Sequence, residues 1–248
     1  MTKNLILLAD KTFSIKSISL KLIFLLSSKT LYLDSFFEKI GLQILQIIDI
    51  QGINKLKFLS TKWQKLFDDI IKYKQRMTII PENSELLRLL IAGEDHRFKF
   101  HSGVDIIALL RASWKTLILK QREGGSTIAM QLVRVLTGKY DKTLHRKLEE
   151  IFLAYRLTKH ISRQEILCLY LSIAYFGWNM HGIQQACNSL KLNLNNLTLE
   201  ESASLIARLK YPEPKNISES RNIQIKNRTK YILKRYDKLK IKDRYDTF

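Results

Sequence analysis

Two glutamates and a set of cations carry the chemistry open to this chain. Glu94 and Asp95 stand side by side in the stretch E-D-H-R-F-K-F-H-S-G, residues 94–103. Neighbouring residues do not share a helix face, so the two carboxylates should have different tasks. Glu94 closes the apolar turn Leu89-Leu90-Ile91-Ala92-Gly93. A carboxylate there is partly withdrawn from water, the setting in which a general base is tuned. Asp95 would orient nearby donors, Arg97 and His101 supply polar partners, and Gly103 permits a tight backbone. The plainer alternative is a solvated acidic helix end.

The second element is Gly124-Gly125-Ser126-Thr127. Glycines ahead of a helix N-terminus let backbone N–H groups and hydroxyls face an anion, and Gln131 and Arg134 would project toward the same region one and two turns on. The alternative is an ordinary glycine turn with a Ser/Thr cap. The third element is Arg146-Lys147-Leu148-Glu149-Glu150, in which Arg146 and Glu150 share a helix face. Arginine suits bidentate contact with phosphate oxygens and lysine adds a point charge. Glu150 would steer the basic pair or hold a divalent cation beside a pyrophosphate. The alternative is a surface ion pair.

These residues need helices to position them. With nine glycines and three prolines in 248 residues, and much Leu, Ile, Lys and Glu, the chain reads as mainly α-helical. Ser84 is expected to cap a helix over Glu85–Ala92, after a turn at Pro81 and Asn83, and residues 105–120 form another. Ser126 or Thr127 starts the next, followed by one from Thr143 to about His160 on three-to-four apolar spacing. Ser162 with Glu165, and Thr198 with Glu201, are spaced as capping boxes for helices over Arg163–Leu171 and Thr198–Leu209. A last helix spans Arg221 to about Lys240 in a segment with 11 basic and 4 acidic residues over 215–248.

The net charge of +19 attracts polyanions in general, whether nucleic acid, anionic lipid or pyrophosphate, and does not choose among them. No nucleic-acid motif accompanies it, so nucleic acid is not the expected partner. Cys168 and Cys187 lack metal-ligand spacing and read as unpaired thiols. In residues 1–78 the longest apolar runs, Leu22–Ser28 and Ile40–Ile48, are too short to span a bilayer and no signal peptide is evident. Packed helices, or basic amphipathic helices lying on a membrane, fit that region.

The order of the motifs is more specific than any one of them. E-D-x-x-F-x-x-H-x-G at 94–103 precedes G-G-S-T-I-x-x-Q-L at 124–132, R-K-x-x-E at 146–150, I-L-x-x-Y-L at 166–171, Y-F-G at 175–177 and G-I at 182–183. This series resembles the family 51 glycosyltransferases, the peptidoglycan glycosyltransferase domain found alone or in class A penicillin-binding proteins. The resemblance covers residues 79–212. It divides the chain into an N-terminal basic and apolar region (1–78), the glycosyltransferase domain (79–212) and a basic C-terminal helix or tail (213–248). No S-x-x-K acylation motif lies outside the matched region, so a monofunctional member is expected.

The resemblance implies a mainly α, lysozyme-like domain with two lobes around a cleft. It implies lipid II as acceptor and the growing glycan chain as donor, with undecaprenyl pyrophosphate displaced under inversion to give a β-1,4 bond. By family position Glu94 is the general base and Glu150 the second glutamate, which supports the pyrophosphate site, with Mg or Mn as a candidate divalent cation. Arg134, Arg146 and Lys147 fall at the basic donor-site positions. Asp95, Phe98 and His101 match the first motif, and Thr127 and Gln131 the second, all expected to serve substrate binding. Segment 104–123, with Trp114, falls where the family places a mobile, membrane-dipping region, though a buried helix has equal claim to it. The implied location is the outer face of the bacterial cytoplasmic membrane, with other cell-wall synthesis proteins as candidate partners.

The chain departs from the family pattern at Met130, Val135, Arg163 and Ser172, and over Cys187-Asn188-Ser189-Leu190. Two other readings remain: a lysozyme-like glycan-cleaving enzyme, which also needs a catalytic glutamate, and a non-enzymatic lipid II-binding relative.

Overall fold

The computed structural model describes residues 52–75, 77, 80, 84–120, 124–216 and 218–245. The apolar runs at 22–28 and 40–48 lie outside the described residues, as do Pro81 and Asn83. In chain order the helices are α1 (Gly52–Lys74), α2 (Glu85–Glu94), α3 (Ile106–Ile118), α4 (Ile128–Thr137), α5 (Leu144–His160) and α6 (Arg163–Ile173). A short antiparallel hairpin follows, β1 (Tyr175–Gly177) with β2 (Met180–His181), in which Tyr175 pairs with His181 and Gly177 with Met180. Then come α7 (Ile183–Ser189), α8 (Leu199–Lys210) and α9 (Glu219–Tyr245). The expectation of a mainly α protein holds.

Local sequence sets most helix starts. Ser84, Asp105, Thr127 and Thr143 each accept a backbone N–H of the first turn they cap. Ser162–Glu165 and Thr198–Glu201 form complete capping boxes, as their spacing predicts. The choice between Ser126 and Thr127 falls to Thr127, whose hydroxyl oxygen accepts from the Met130 N–H at 3.2 Å.

The core is built around α4 and α6. Ile166 through Leu171 are six consecutive buried residues, so α6 is enclosed on all sides. Met130, one of the departures from the family pattern, is wholly buried and points into this core. The core runs past the boundaries expected at 79 and 212. Trp63, Leu66 and Ile70 of α1, and Ile225, Ile232 and Tyr236 of α9, lie in the same cluster as Leu90, Leu132 and Leu169. The three α1 residues recur at i, i+3 and i+7, which makes one packed amphipathic face. The part of α1 that carries Trp63, Leu66 and Ile70 is therefore packed into the domain, and the basic C-terminal helix belongs to it as well. Gly93 allows this closure, since a Cβ there would sit 3.2 Å from side-chain atoms of both Ile206 in α8 and Ile232 in α9.

Candidate active site

The first motif is a turn locked from three directions. At Asp95 the backbone leaves helical geometry (φ −154°, ψ 70°), which ends α2 and places Glu94 on its last residue. Phe98, in the 3₁₀ turn Phe98–Phe100, inserts into the core at 3% exposure. Asp95 is buried, and its Oδ1 pairs with His101 Nε2 at 3.0 Å while Oδ2 accepts from the Ile128 N–H at 3.1 Å. The Thr127 hydroxyl donates to the Gly103 carbonyl at 2.6 Å. Gly103 has φ +85° and lies so close to α5 that a Cβ would be 2.4 Å from the Ala154 carbonyl oxygen. Arg163 of α6 reaches under the same turn, donating to the carbonyl oxygens of Phe98 and His101.

These contacts give Asp95, Phe98, His101 and Thr127 a common setting: all four are buried, and Asp95 and Thr127 bind the first motif to the second. They also answer what the glycine turn holds. The N-terminus of α4 does face an anion, but that anion is the Asp95 carboxylate on the Ile128 N–H. Ser126, released from capping, accepts from Arg134 Nη2 at 3.2 Å and from Lys147 Nζ at 2.8 Å.

Glu94 is 13% exposed in its side chain and has a partner on each oxygen. Gln131 Nε2 donates to Oε2 at 3.2 Å, and Arg228 Nη2 donates to Oε1 at 3.0 Å. Gln131 is held in turn by Tyr170, whose hydroxyl donates to its Oε1 at 2.7 Å. Burial, and then the nearby Glu94 charge, push the Tyr170 hydroxyl far above its ordinary range, so it remains a donor.

Glu150 is the centre of the second cluster. Its side chain is 2% exposed, and three cations share its two oxygens. Arg134 binds it through two nitrogens at 3.1 and 2.9 Å, Lys147 Nζ lies at 2.9 Å, and Arg146 makes a close contact. Burial by itself would raise the Glu150 pKa. The hydrogen bonds from Arg134 and Lys147 and their charges outweigh it and hold the carboxyl below its ordinary value. Lys147 is lowered chiefly by burial, with Arg134 and Arg146 adding repulsion and Glu150 opposing. Beside this, buried Glu149 accepts from Lys62 of α1 at 2.6 Å and from Lys139 at 2.9 Å. The region therefore carries excess positive charge held in place by two carboxylates.

One helix joins the clusters. Gln131 and Arg134 are three residues apart on α4, so one face of that helix presents a partner to Glu94 and, about 4.5 Å further along its axis, a partner to Glu150. Both Glu150 oxygens already accept from cations, and among the described residues no group of three or more His, Cys, Asp or Glu side chains converges.

The segment after the first motif is a helix with an exposed apolar side. Leu110, Trp114, Ile118 and Leu119 are exposed, as is Phe100 in the preceding turn. Trp114 lies on that exposed side, while Ala112 of the same helix is buried and Leu109 packs against the core. Among the described residues no helix is long and apolar enough to cross a membrane.

Sequence reasoning missed Arg228, Tyr170, Lys62 and the role of Ser126. Arg228 lay in a basic segment with no distinguishing pattern, and its partner is 134 residues away. Tyr170 sat within the fourth motif without an assigned task. Of the departures, Arg163 clamps the first motif and Ser172 bonds back to the Cys168 carbonyl at 2.8 Å within its own helix.

Comparison with known proteins matches residues 64–237 to the transglycosylase family, a span that takes in α4, α5 and most of α9. A Cupriavidus necator protein named as a transglycosylase is 37% identical over 153 residues, covering 61% of this chain and 65% of its own. A monofunctional glycosyltransferase of Staphylococcus aureus is 30% identical over 177 residues, covering 67% of this chain and 65% of its own. A penicillin-binding protein 1A of Rickettsia typhi is 30% identical over 169 residues, covering 65% of this chain and 21% of its own. The chain thus spans about two thirds of the shorter relatives and about a fifth of the longer one. On a match covering well over half of its length, this mostly helical chain belongs to the transglycosylase family.

Proposed function

We propose that the protein polymerises lipid II into β-1,4 glycan strands by inverting displacement of undecaprenyl pyrophosphate. One observation carries the reading: α4 sets an anchored carboxylate, Glu94, beside a cluster in which Arg134, Arg146 and Lys147 surround a single carboxylate, Glu150. The first suits an acceptor and the second a leaving anion.

In this reaction the acceptor's 4-hydroxyl loses its proton to Glu94 as its oxygen attacks the anomeric carbon of the donor chain. The bond from that carbon to the pyrophosphate breaks, and the electron pair leaves with the phosphate oxygen. Charge grows on the leaving group, so cations fixed beforehand lower the barrier without reorganising. Glu150 performs that fixing: it draws three mutually repelling side chains onto its two oxygens. Asp95, His101, Thr127 and Phe98 act behind this surface, holding the turn that carries Glu94. Gln131 and Tyr170 keep the Glu94 carboxylate aimed. The exposed apolar side of α3 supports contact with the outer face of the cytoplasmic membrane, where the lipid carrier's chain would lie.

The cation cluster also separates this reading from glycan cleavage, since a hydrolase has no pyrophosphate to hold. The test is to supply labelled lipid II in one reaction and purified cell walls in another. Polymer from lipid II with intact walls is expected. Solubilised walls without lipid II turnover would replace the reading with cleavage, and lipid II binding with no product would replace it with a binding role.

A further inference from the structure

We propose that Arg228, on the C-terminal helix, positions the Glu94 carboxylate for proton transfer, making α9 a working part of the active site; the inference rests on the reading of Glu94 as general base. Glu94 is the last residue of α2, where the helix no longer confines it, and its side chain has several rotatable bonds. Two donors remove that freedom. Arg228 takes Oε1 at 3.0 Å and Gln131 takes Oε2 at 3.2 Å, and each oxygen keeps a lone pair for an incoming hydroxyl.

Arg228 is itself held. Its Nη2 also donates to the Gly93 carbonyl at 2.6 Å, and its guanidinium lies 4.9 Å from the centre of the Tyr231 ring. The helix that carries it is docked by buried Ile225, Ile232 and Tyr236. At the far end of α2 the Tyr236 hydroxyl donates to Glu85 at 3.2 Å. So α9 grips the first and last residues of α2, and the grip at the catalytic end is made by an arginine. Among the described residues its Nε is buried without a hydrogen-bond partner. The contact to the Gly93 carbonyl is structural and would serve any arginine here, but the same nitrogen also reaches Glu94 Oε1.

The experiment compares kcat and KM for lipid II in wild type, Arg228→Ala, Arg228→Lys, Tyr236→Phe and Glu94→Gln, with thermal midpoints for each. A misplacement of about 1 Å at a reacting group costs up to about 100-fold. Arg228→Ala should therefore lose about 10- to 100-fold in kcat, with KM within about threefold of wild type, and added guanidinium or methylguanidinium should restore part of it. Arg228→Lys keeps the charge but not the fork. It should fall between the two at an unchanged midpoint, and it carries the test should the alanine variant fail to fold. Tyr236→Phe loosens only the far grip and should turn over normally. Wild-type kcat in both Arg228 variants, or a loss that tracks the folded fraction and ignores guanidinium, overturns the proposal. If Glu94→Gln polymerises normally, the base assignment itself fails, whatever Arg228 does.

Discussion

Replacing Glu150 by glutamine should destabilise the fold as well as stop the reaction. Glutamine keeps the shape and one acceptor oxygen but removes the charge that three cations share. Removing one partner of a buried ion pair costs about 3–5 kcal/mol, because the charge left behind is uncompensated. Here Arg134, Arg146 and Lys147 keep 28, 15 and 24% side-chain exposure, so water screens part of their repulsion. Ser126 and the Asp141 carbonyl oxygen still accept from them. The expected loss is then about 3 kcal/mol, which for a domain of this size lowers the thermal midpoint by about 6–12 °C. Urea and thermal unfolding measure it directly. Raising the ionic strength should recover part of the loss, since the repulsion left behind is partly exposed. Turnover should be measured well below the lowered midpoint, so that lost chemistry is not mistaken for lost fold. A change under about 1 kcal/mol, insensitive to salt, would refute the view that Glu150 holds the cluster together.

Two further outcomes follow from the same geometry. Gly103→Ala should cost more than about 2 kcal/mol, because it combines a strained positive φ with a clash against the Ala154 carbonyl oxygen; unfolding curves would show it, and a neutral result would mean the turn relaxes. Both Glu149 and Glu150 have folded pKa values below the ordinary 4.5. Depressed carboxyl pKa values give stability that is fully present above the unfolded value and is lost as pH falls through the folded one. Stability should therefore decline below about pH 4.5, and more steeply in wild type than in Glu149→Gln or Glu150→Gln; equal slopes would contradict the assignment.

What could be read from the sequence was what depends on short range. The capping boxes at Ser162 and Thr198 were legible because cap and partner are three residues apart. The Arg146–Glu150 contact was legible because helical spacing places the two on one face. The Gln131–Glu94 contact was not legible, since nothing local joins residues 37 apart and Gln131 was expected to face the glycine turn's anion. Spacing could not show that Asp95 would take the α4 N-terminus that an outside anion was expected to take. Nor could it show that an arginine on α9 would reach Glu94, because that depends on how α9 lies across α2. The boundaries at 79 and 212 followed the motifs, whereas the core follows apolar faces on α1 and α9 that carry no motif.

The most direct measurement is lipid II polymerisation by wild type beside Glu94→Gln, with folding of both confirmed by circular dichroism. The substitution keeps the length of the side chain and an acceptor oxygen for Arg228, but a neutral amide cannot take the acceptor's proton. Wild type should convert lipid II into glycan strands while Glu94→Gln, folded and still binding lipid II, makes none. Polymerisation by the variant at the wild-type rate would contradict the account.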